Sequence, residues 1–302
     1  MQGFNTKRAL ELFSARFIMV VLMNPATVSP SVPQRAPLAL QVEGLSKVFA
    51  QRGPARWPGL AAAEALPVLD HLSFEVGEGE FVSVVGPSGS GKSTLLAILA
   101  GLEEPSEGSI ALHGERDAPR LGQVGYMPQR DLLLPWRTAL GNALAGIQVQ
   151  GVPRQEARKR AHDLFCQFGL AEFEQTYPHA LSGGMRQRVA FARTVLAARD
   201  LVLLDEPFGA LDTLTRLSMH RWLLDIWGQL GKSAMLVTHD PEEALLLSDR
   251  VYVFSARPAH ITLALEVPLP RPRQTEVVAS PEFAQLKARL LGALLHGEEV
   301  TQ

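Results

Sequence analysis

The stretch GPSGSGKST, residues 86–94, decides the fold of this chain. The apolar run FVSVV precedes it and the apolar run LLAIL follows it, so it lies between a predicted buried strand and a predicted helix. That context supports a match to the pattern G-x-x-x-x-G-K-[ST], in which the N–H groups of a glycine-rich loop and of a helix N-terminus bind phosphate. The sequence therefore predicts a nucleotide-binding α/β domain.

Each residue of this loop is a predicted nucleotide contact. Lys92 supplies a cation to the β and γ phosphates, and Ser93 offers a hydroxyl to Mg²⁺. The alternative is a glycine-rich turn with a surface lysine, which the flanking strand and helix disfavour. The predicted contacts are Gly86, Pro87, Ser88, Gly89, Ser90, Gly91, Lys92, Ser93 and Thr94.

A second motif, LVLLDEP at residues 201–207, carries two carboxylates. Its apolar run predicts a buried strand whose carboxyl end presents Asp205 and Glu206, and ligands of open α/β sheets bind at such ends. We expect Asp205 to hold Mg²⁺ through water and Glu206 to polarise the attacking water as general base. An isolated Asp-Glu pair is usually the solvated start of a loop, so its position after the third motif matters.

That third motif is LSGGMRQR, residues 181–188. Phosphate-binding loops occur in many kinases, GTPases and motor ATPases, but an LSGG run between such a loop and a strand ending in DE does not. Together the three motifs resemble the ATP-binding subunit of an ABC transporter. The resemblance implies that Ser182, Gly183 and Gly184 meet the γ-phosphate bound to a second copy of the subunit. The residues alone indicate a glycine pair capping a helix that starts near Met185.

Three single positions match the same family pattern. Gln129, in YMPQ, resembles the glutamine that reaches Mg²⁺ and the attacking water, although a lone glutamine is usually a surface amide. His239, in LVTHD, resembles the histidine that contacts the γ-phosphate, although an isolated histidine is more often structural. Asp212 lies in GALD, which resembles the family loop that crosses to the partner subunit, although Gly209 replaces the serine often found there.

The adenine site has two candidates. The resemblance implies that the base stacks on an aromatic residue near the end of the first strand, where Phe49 stands. The connection that follows is unusually long and contains Trp57, which competes for this role. We favour Phe49.

The order of the patterns predicts the architecture. We expect an α/β P-loop NTPase core of the ABC type, with an antiparallel β subdomain and an inserted helical subdomain. Residues 1–37 are interpreted as an extension and linker, residues 38–267 as the ATP-binding domain, with the helical insert at about 131–180, and residues 268–302 as a tail and helix. Cys166, on an apolar helical stretch, is expected in the core.

Composition excludes several function classes. The chain has 302 residues, a net charge of -2 and no long basic block, so it has no electrostatic basis for binding nucleic acid. Its single cysteine cannot form an intrachain disulfide, which suits a reducing cytoplasm. The early apolar run at residues 17–23 is far shorter than the about 20 residues of a membrane helix.

The stretches RDLLLPWRTALGNA, FSARPAHI and PLPRPR resemble the nitrate, sulfonate and taurine importer family, which includes carriers of thiamine pyrimidine precursors. This implies a homodimer on the cytoplasmic face of the membrane, bound to permease subunits and served by an extracytoplasmic solute-binding protein, with ATP and Mg²⁺ as cofactors. The apolar LLPW stretch is the expected permease contact, or else core packing of the insert. The alternatives are a soluble P-loop kinase and a non-transport ABC ATPase.

Overall fold

The structure, a computed structural model, describes residues 37–50 and 65–299. Trp57 and the predicted N-terminal extension up to residue 36 lie outside the described residues. The described strands are β1 (Leu38–Ala50), β2 (Ala65–Gly77), β3 (Phe81–Val85), β4 (Glu107–Leu112), β5 (Glu115–Arg116), β6 (Gly125–Met127), β7 (Leu201–Asp205), β8 (Ser233–Val237), β9 (Arg250–Phe254) and β10 (Ile261–Glu266).

Seven α-helices lie within the described residues. Short 3₁₀ turns lie at Ala171–Phe173, Pro178–Ala180 and Thr275–Ala279. The α-helices are α1 (Lys92–Leu99), α2 (Ala139–Val149), α3 (Arg154–Gln167), α4 (Gly183–Ala197), α5 (Thr213–Leu230), α6 (Pro241–Leu247) and α7 (Pro281–Glu299).

A six-stranded sheet in the order β10-β9-β3-β8-β7-β6 forms the centre of the fold. All its pairs are parallel except β10 with β9. Both faces of β7 are buried: Val202 and Leu204 pack into one hydrophobic cluster, and Leu201 and Leu203 into another. A strand covered on both faces has no polar alternation, which is why LVLLD reads as a continuous apolar run.

A second sheet is antiparallel, with strand order β2-β1-β4-β5. Strand β1 pairs with β2 on one side and with β4 on the other. Its buried residues join the cluster that also contains one face of α1, so this sheet covers the parallel core. The predicted fold class, a P-loop core with an antiparallel β subdomain and helical insertion, is confirmed.

The chain between β6 and β7 contains α2, α3 and α4. Phe165 and Phe168 are fully buried in one cluster, where the Phe168 ring packs against Phe191 of α4 and Trp222 of α5, which joins these helices to the core. The expectation that Cys166 is buried is wrong, since it is exposed. Phe165 and Phe168 face inward, and Cys166, which lies between them in sequence, faces solvent.

The C-terminal segment packs on the edge of the parallel sheet formed by β9 and β10. The irregular stretch PLPRPR leads to α7, whose Phe283, Leu286 and Leu290 are buried against α6 and these strands. Within the described residues, no helix combines the length and the apolar character needed to cross a bilayer.

Candidate nucleotide site

The P-loop leaves the carboxyl end of β3 and enters α1. Gly89 and Gly91 have φ angles of +77° and +103°, a region that favours glycine. A Cβ at Gly86 would lie 2.9 Å from the Phe254 carbonyl oxygen, and one at Gly91 would lie 2.7 Å from a Val68 methyl carbon. The glycines are therefore required both by backbone conformation and by the close packing of β2 and β9 around the loop.

Lys92, the first residue of α1, folds back into this loop. Its Nζ donates to the carbonyl oxygens of Gly86 at 2.8 Å and Pro87 at 2.7 Å. Burial lowers the pKa of Lys92, an effect that the nearby charges of Glu206 and Asp205 oppose. The Lys92 ammonium group is thus held inside the loop by hydrogen bonds to two backbone carbonyls.

Asp205 ends β7 and is buried beside the P-loop helix. The Ser93 hydroxyl donates to its Oδ1 at 3.1 Å, and the Tyr126 hydroxyl donates to its Oδ2 at 3.4 Å. Burial raises the pKa of Asp205, although both hydrogen bonds act in the opposite direction. Burial and the Asp205 charge also raise the pKa of Tyr126 to about 12. A serine hydroxyl and a carboxylate brought together in this way are oxygen ligands of the kind Mg²⁺ takes.

Glu206 connects two of the singly predicted residues. Its Oε2 accepts from Gln129 Nε2 at 3.1 Å and lies 3.3 Å from His239 Nδ1. The backbone of Glu206 has a φ of +44°, uncommon for a residue other than glycine, and its N–H donates to the Val237 carbonyl at the end of β8. This turn directs the carboxylate toward the ends of β6 and β8, where Gln129 and His239 lie.

Ser182, Gly183 and Gly184 form a second group with Asp212. Ser182 caps α4 by accepting from the Met185 N–H at 3.3 Å, and Asp212 caps α5 by accepting from the Thr215 N–H at 3.0 Å. The starts of the two helices touch, because a Cβ on Gly184 would lie 3.2 Å from the Thr215 methyl group. We call Ser182, Gly183 and Gly184 the signature group. Among the described residues, no hydrogen bond joins it to the P-loop.

Phe49 lies near the end of β1, half-buried against the cluster beneath the antiparallel sheet. Lys47 Nζ lies over its ring, 4.7 Å from the centroid, and is fixed there by Glu103 Oε1 and the Glu104 carbonyl, both at 2.6 Å. Lys47 therefore covers one face of the ring. Stacking of adenine on Phe49 stays a prediction, and Trp57, its competitor, lies outside the described residues.

Two contacts at the site escaped sequence reasoning. Tyr126 precedes YMPQ's glutamine by three positions, so the motif itself contained the signal for the bond to Asp205. Arg257 lies in FSARPAHI, and its guanidinium donates through Nε at 3.0 Å and Nη2 at 2.6 Å to the Gly89 carbonyl of the P-loop. That phrase was interpreted only as a mark of family, because nothing in the sequence places it beside the loop.

Comparison with known proteins shows the family of this chain. A family model described as "ABC transporter" matches residues 69–209. The chain is 46% identical to the formylaminopyrimidine import ATP-binding protein ThiZ of Halalkalibacterium halodurans, over 74% of this chain and 87% of that protein. It is 38% identical to the nitrate import ATP-binding protein NrtD of Synechocystis sp., over 87% of this chain and 97% of that protein.

Among solved structures, the dimeric post-hydrolysis state of the ATP-binding cassette MJ0796, bound to ADP and Pi, superposes with a TM-score of 0.62. The two sequences are 28% identical, and the superposition covers 76% of this chain and 100% of the MJ0796 chain.

The fold, the P-loop and the carboxylates at the end of β7 define a P-loop ATPase built as an ATP-binding cassette. The chain belongs to the ABC transporter family, among the ATP-binding subunits of importers, as its resemblance to the nitrate, sulfonate and taurine group predicted. It binds and hydrolyses ATP as part of a membrane-associated import complex.

Proposed function

We propose that two copies of this chain close head to tail around two molecules of Mg-ATP, on the cytoplasmic face of the membrane. The observation that carries this proposal is the separation of the predicted site into two groups. One group joins Lys92, Ser93, Asp205 and Glu206, while the signature group makes no hydrogen bond to it within the described residues. A second copy, rotated by a two-fold axis, supplies the missing group to each site.

Within each site, the roles follow from the contacts. Lys92 exchanges its carbonyl partners for phosphate oxygens, which are charged and bind an ammonium more strongly. Ser93 and Asp205 would hold Mg²⁺, whose charge offsets that of the phosphates. Glu206 acts as the general base toward water, oriented by Gln129 and His239 through its Oε2. Ser182, Gly183 and Gly184 offer the hydroxyl and free N–H groups of a helix start to the γ-phosphate.

Replacing the base tests this assignment. Glu206→Gln retains the size of the side chain but cannot accept a proton from water, so we expect hydrolysis to fall about 100-fold or more while ATP still binds. Steady-state turnover and nucleotide titration of the purified chain measure the two effects. Turnover near that of the wild type would place the base elsewhere.

The permease contact that we propose is a groove on the helical segment. It has a volume of about 370 Å³, and its lining includes Trp136, Tyr177, Arg137, Arg154 and Arg158. Trp136 is 72% exposed, which is a high exposed fraction for such a large apolar residue. Because its lining contains three arginines and no carboxylate, the groove suits a partner segment that combines apolar residues with acidic ones.

Charge reversal in the groove separates docking from catalysis. Arg158→Glu should abolish co-purification with the permease while the isolated chain retains its ATPase activity, since Arg158 lines the groove and is not one of the predicted nucleotide contacts. Val149→Asp is the control, because Val149 is 88% exposed on α2 but does not line the groove. Normal co-purification of the Arg158→Glu chain would remove the groove from this role.

The transported solute belongs to the class handled by the relatives. We infer uptake of a small solute of the nitrate, sulfonate or taurine type or of a thiamine pyrimidine precursor, delivered by an extracytoplasmic binding protein. The import relatives support this class: one is named for formylaminopyrimidine and another for nitrate. Binding of these solutes to the associated binding protein, measured by calorimetry, tests it.

A further inference from the structure

A buried pair of polar side chains lies behind the nucleotide site. His220, in the middle of α5, places its Nε2 2.7 Å from Glu243 Oε1 on α6. The two side chains are only 6% and 5% exposed. Neither residue belongs to the predicted nucleotide site or takes part in the proposed hydrolysis.

The pair joins the two helices that begin at functional residues. Helix α5 starts at Asp212, its cap, and α6 starts directly after His239, with Asp240 as its cap. His220 and Glu243 are therefore the polar link between the helix led by Asp212 and the helix led by His239.

A third contact extends the link toward the catalytic carboxylate. Phe208, two residues after Glu206, packs edge-on against the His220 ring, with centroids 5.2 Å apart and planes at 74°. Glu206, Phe208, His239 and Glu243 line one small pocket. A movement of His220 would therefore be transmitted to the backbone between Glu206 and Asp212.

Stability alone does not explain such a pair. Removing two polar groups from water costs free energy, and apolar side chains of similar volume often serve as well or better in a protein core. A buried hydrogen bond fixes direction and spacing, which apolar packing specifies less sharply.

We propose that His220 and Glu243 are positioning residues, which hold Asp212 and His239 in one relative arrangement so that the dimer contact at Asp212 and the Glu206–His239 contact form together. The proposal rests on the head-to-tail dimer proposed above. It concerns turnover and not nucleotide affinity, because neither residue reaches the P-loop.

Two variants of equal size test it. His220→Gln keeps a donor at the end of a side chain that reaches Glu243, whereas His220→Met has a similar volume and no donor. We expect the Gln variant to keep kcat within about 3-fold of the wild type and the Met variant to lose about 10-fold or more, with the same Kd for ATP in both. Equal kcat values in the two variants, high or low, would overturn the proposal, as would an ATP affinity that falls with kcat.

A second experiment separates positioning from folding. In His220→Leu/Glu243→Leu neither partner of the pair leaves the other unpaired, so its Tm should stay near that of the wild type while kcat is about 10-fold low. Wild-type turnover in this folded variant would show that the pair only fills space. Failure of the dimer model would instead appear in the wild-type chain, as absence of ATP-dependent association.

Discussion

Asp205 shows, at the scale of a single residue, how the site opposes the stability of the fold. Burial raises its pKa, so between its ordinary and its raised pKa the folded chain binds more protons than the unfolded chain. The free energy of unfolding therefore falls as pH rises through that window, and the loss is complete above the raised pKa. The chain retains a carboxylate that destabilises it because, in the proposed mechanism, Mg²⁺ requires the charge.

Neutralising this carboxylate should stabilise the nucleotide-free chain. Asp205→Asn still accepts from Ser93, so we expect a higher Tm at neutral pH, a difference that shrinks as pH falls through the raised pKa of Asp205. Asp212→Asn is the control of opposite sign, because hydrogen bonds from Thr215 lower the pKa of Asp212 and its charge favours the helix start. A lower Tm for Asp205→Asn at neutral pH would contradict the account.

Individual residues were predictable where a motif fixes their chemistry. The motifs assigned Ser93 and Asp205 to one Mg²⁺ ion and Lys92 to the phosphates, and in the structure Ser93 donates to Asp205 with Lys92 nearby. The link between Glu206 and His239 depends on β7 and β8 being neighbours in the sheet, and the sequence pattern predicts a mostly parallel sheet without its strand order. The contact of Arg257 with Gly89 spans 168 positions, and no local pattern indicates it.

The tail segment PLPRPR acts, at the scale of an element, as a cap for α6. The Arg273 guanidinium donates to the carbonyls of Leu245, Val267 and Leu269, and to Ser248 at the end of the helix. Burial lowers its pKa to about 10, so it remains charged at neutral pH. A cation at the carboxyl end of a helix pairs with the carbonyls that have no partner within it.

Removing this cap should destabilise the fold. Arg273→Met leaves several buried carbonyls without a donor, and we expect it to lower the free energy of unfolding by about 3 kcal/mol. Arg271→Met provides the comparison, since Arg271 also reaches the end of α6, at Leu247, but its side chain is 34% exposed. Its loss should be below about 1 kcal/mol. Urea unfolding of both variants measures the difference, and equal losses would refute the capping role.

Strands and helices were predictable where the spacing of apolar residues indicates which positions are buried. The run LVLLD predicted β7, and the proline start with apolar spacing predicted α7, because both signals come from residues near in sequence. The prediction that Cys166 is buried was wrong because it depends on contacts between residues distant in sequence. The apolar residues around it indicate a buried helix face, but which residue of the helix faces solvent depends on the packing of Phe165 and Phe168 against α4 and α5.

At the scale of the whole molecule, the proposed hydrolysis requires two copies of the chain to complete each other's sites. Within one chain, Ser182 lies with Asp212, while Lys92 lies with Asp205. A change at Ser182 should therefore affect association and hydrolysis, with ATP binding by one chain almost intact. A change at Lys92 should weaken nucleotide binding itself, since the phosphate charge loses its cation.

Mixing these two variants tests the central claim most directly. Neither Ser182→Arg nor Lys92→Ala alone can form a site with an intact P-loop and an intact signature, but their heterodimer has one such site. We expect ATP-dependent association, measured by analytical ultracentrifugation, to be absent in each variant and to return in the mixture. No recovery in the mixture, together with loss of ATP binding by the Ser182→Arg chain alone, would place the signature in the subunit's own pocket and contradict the account.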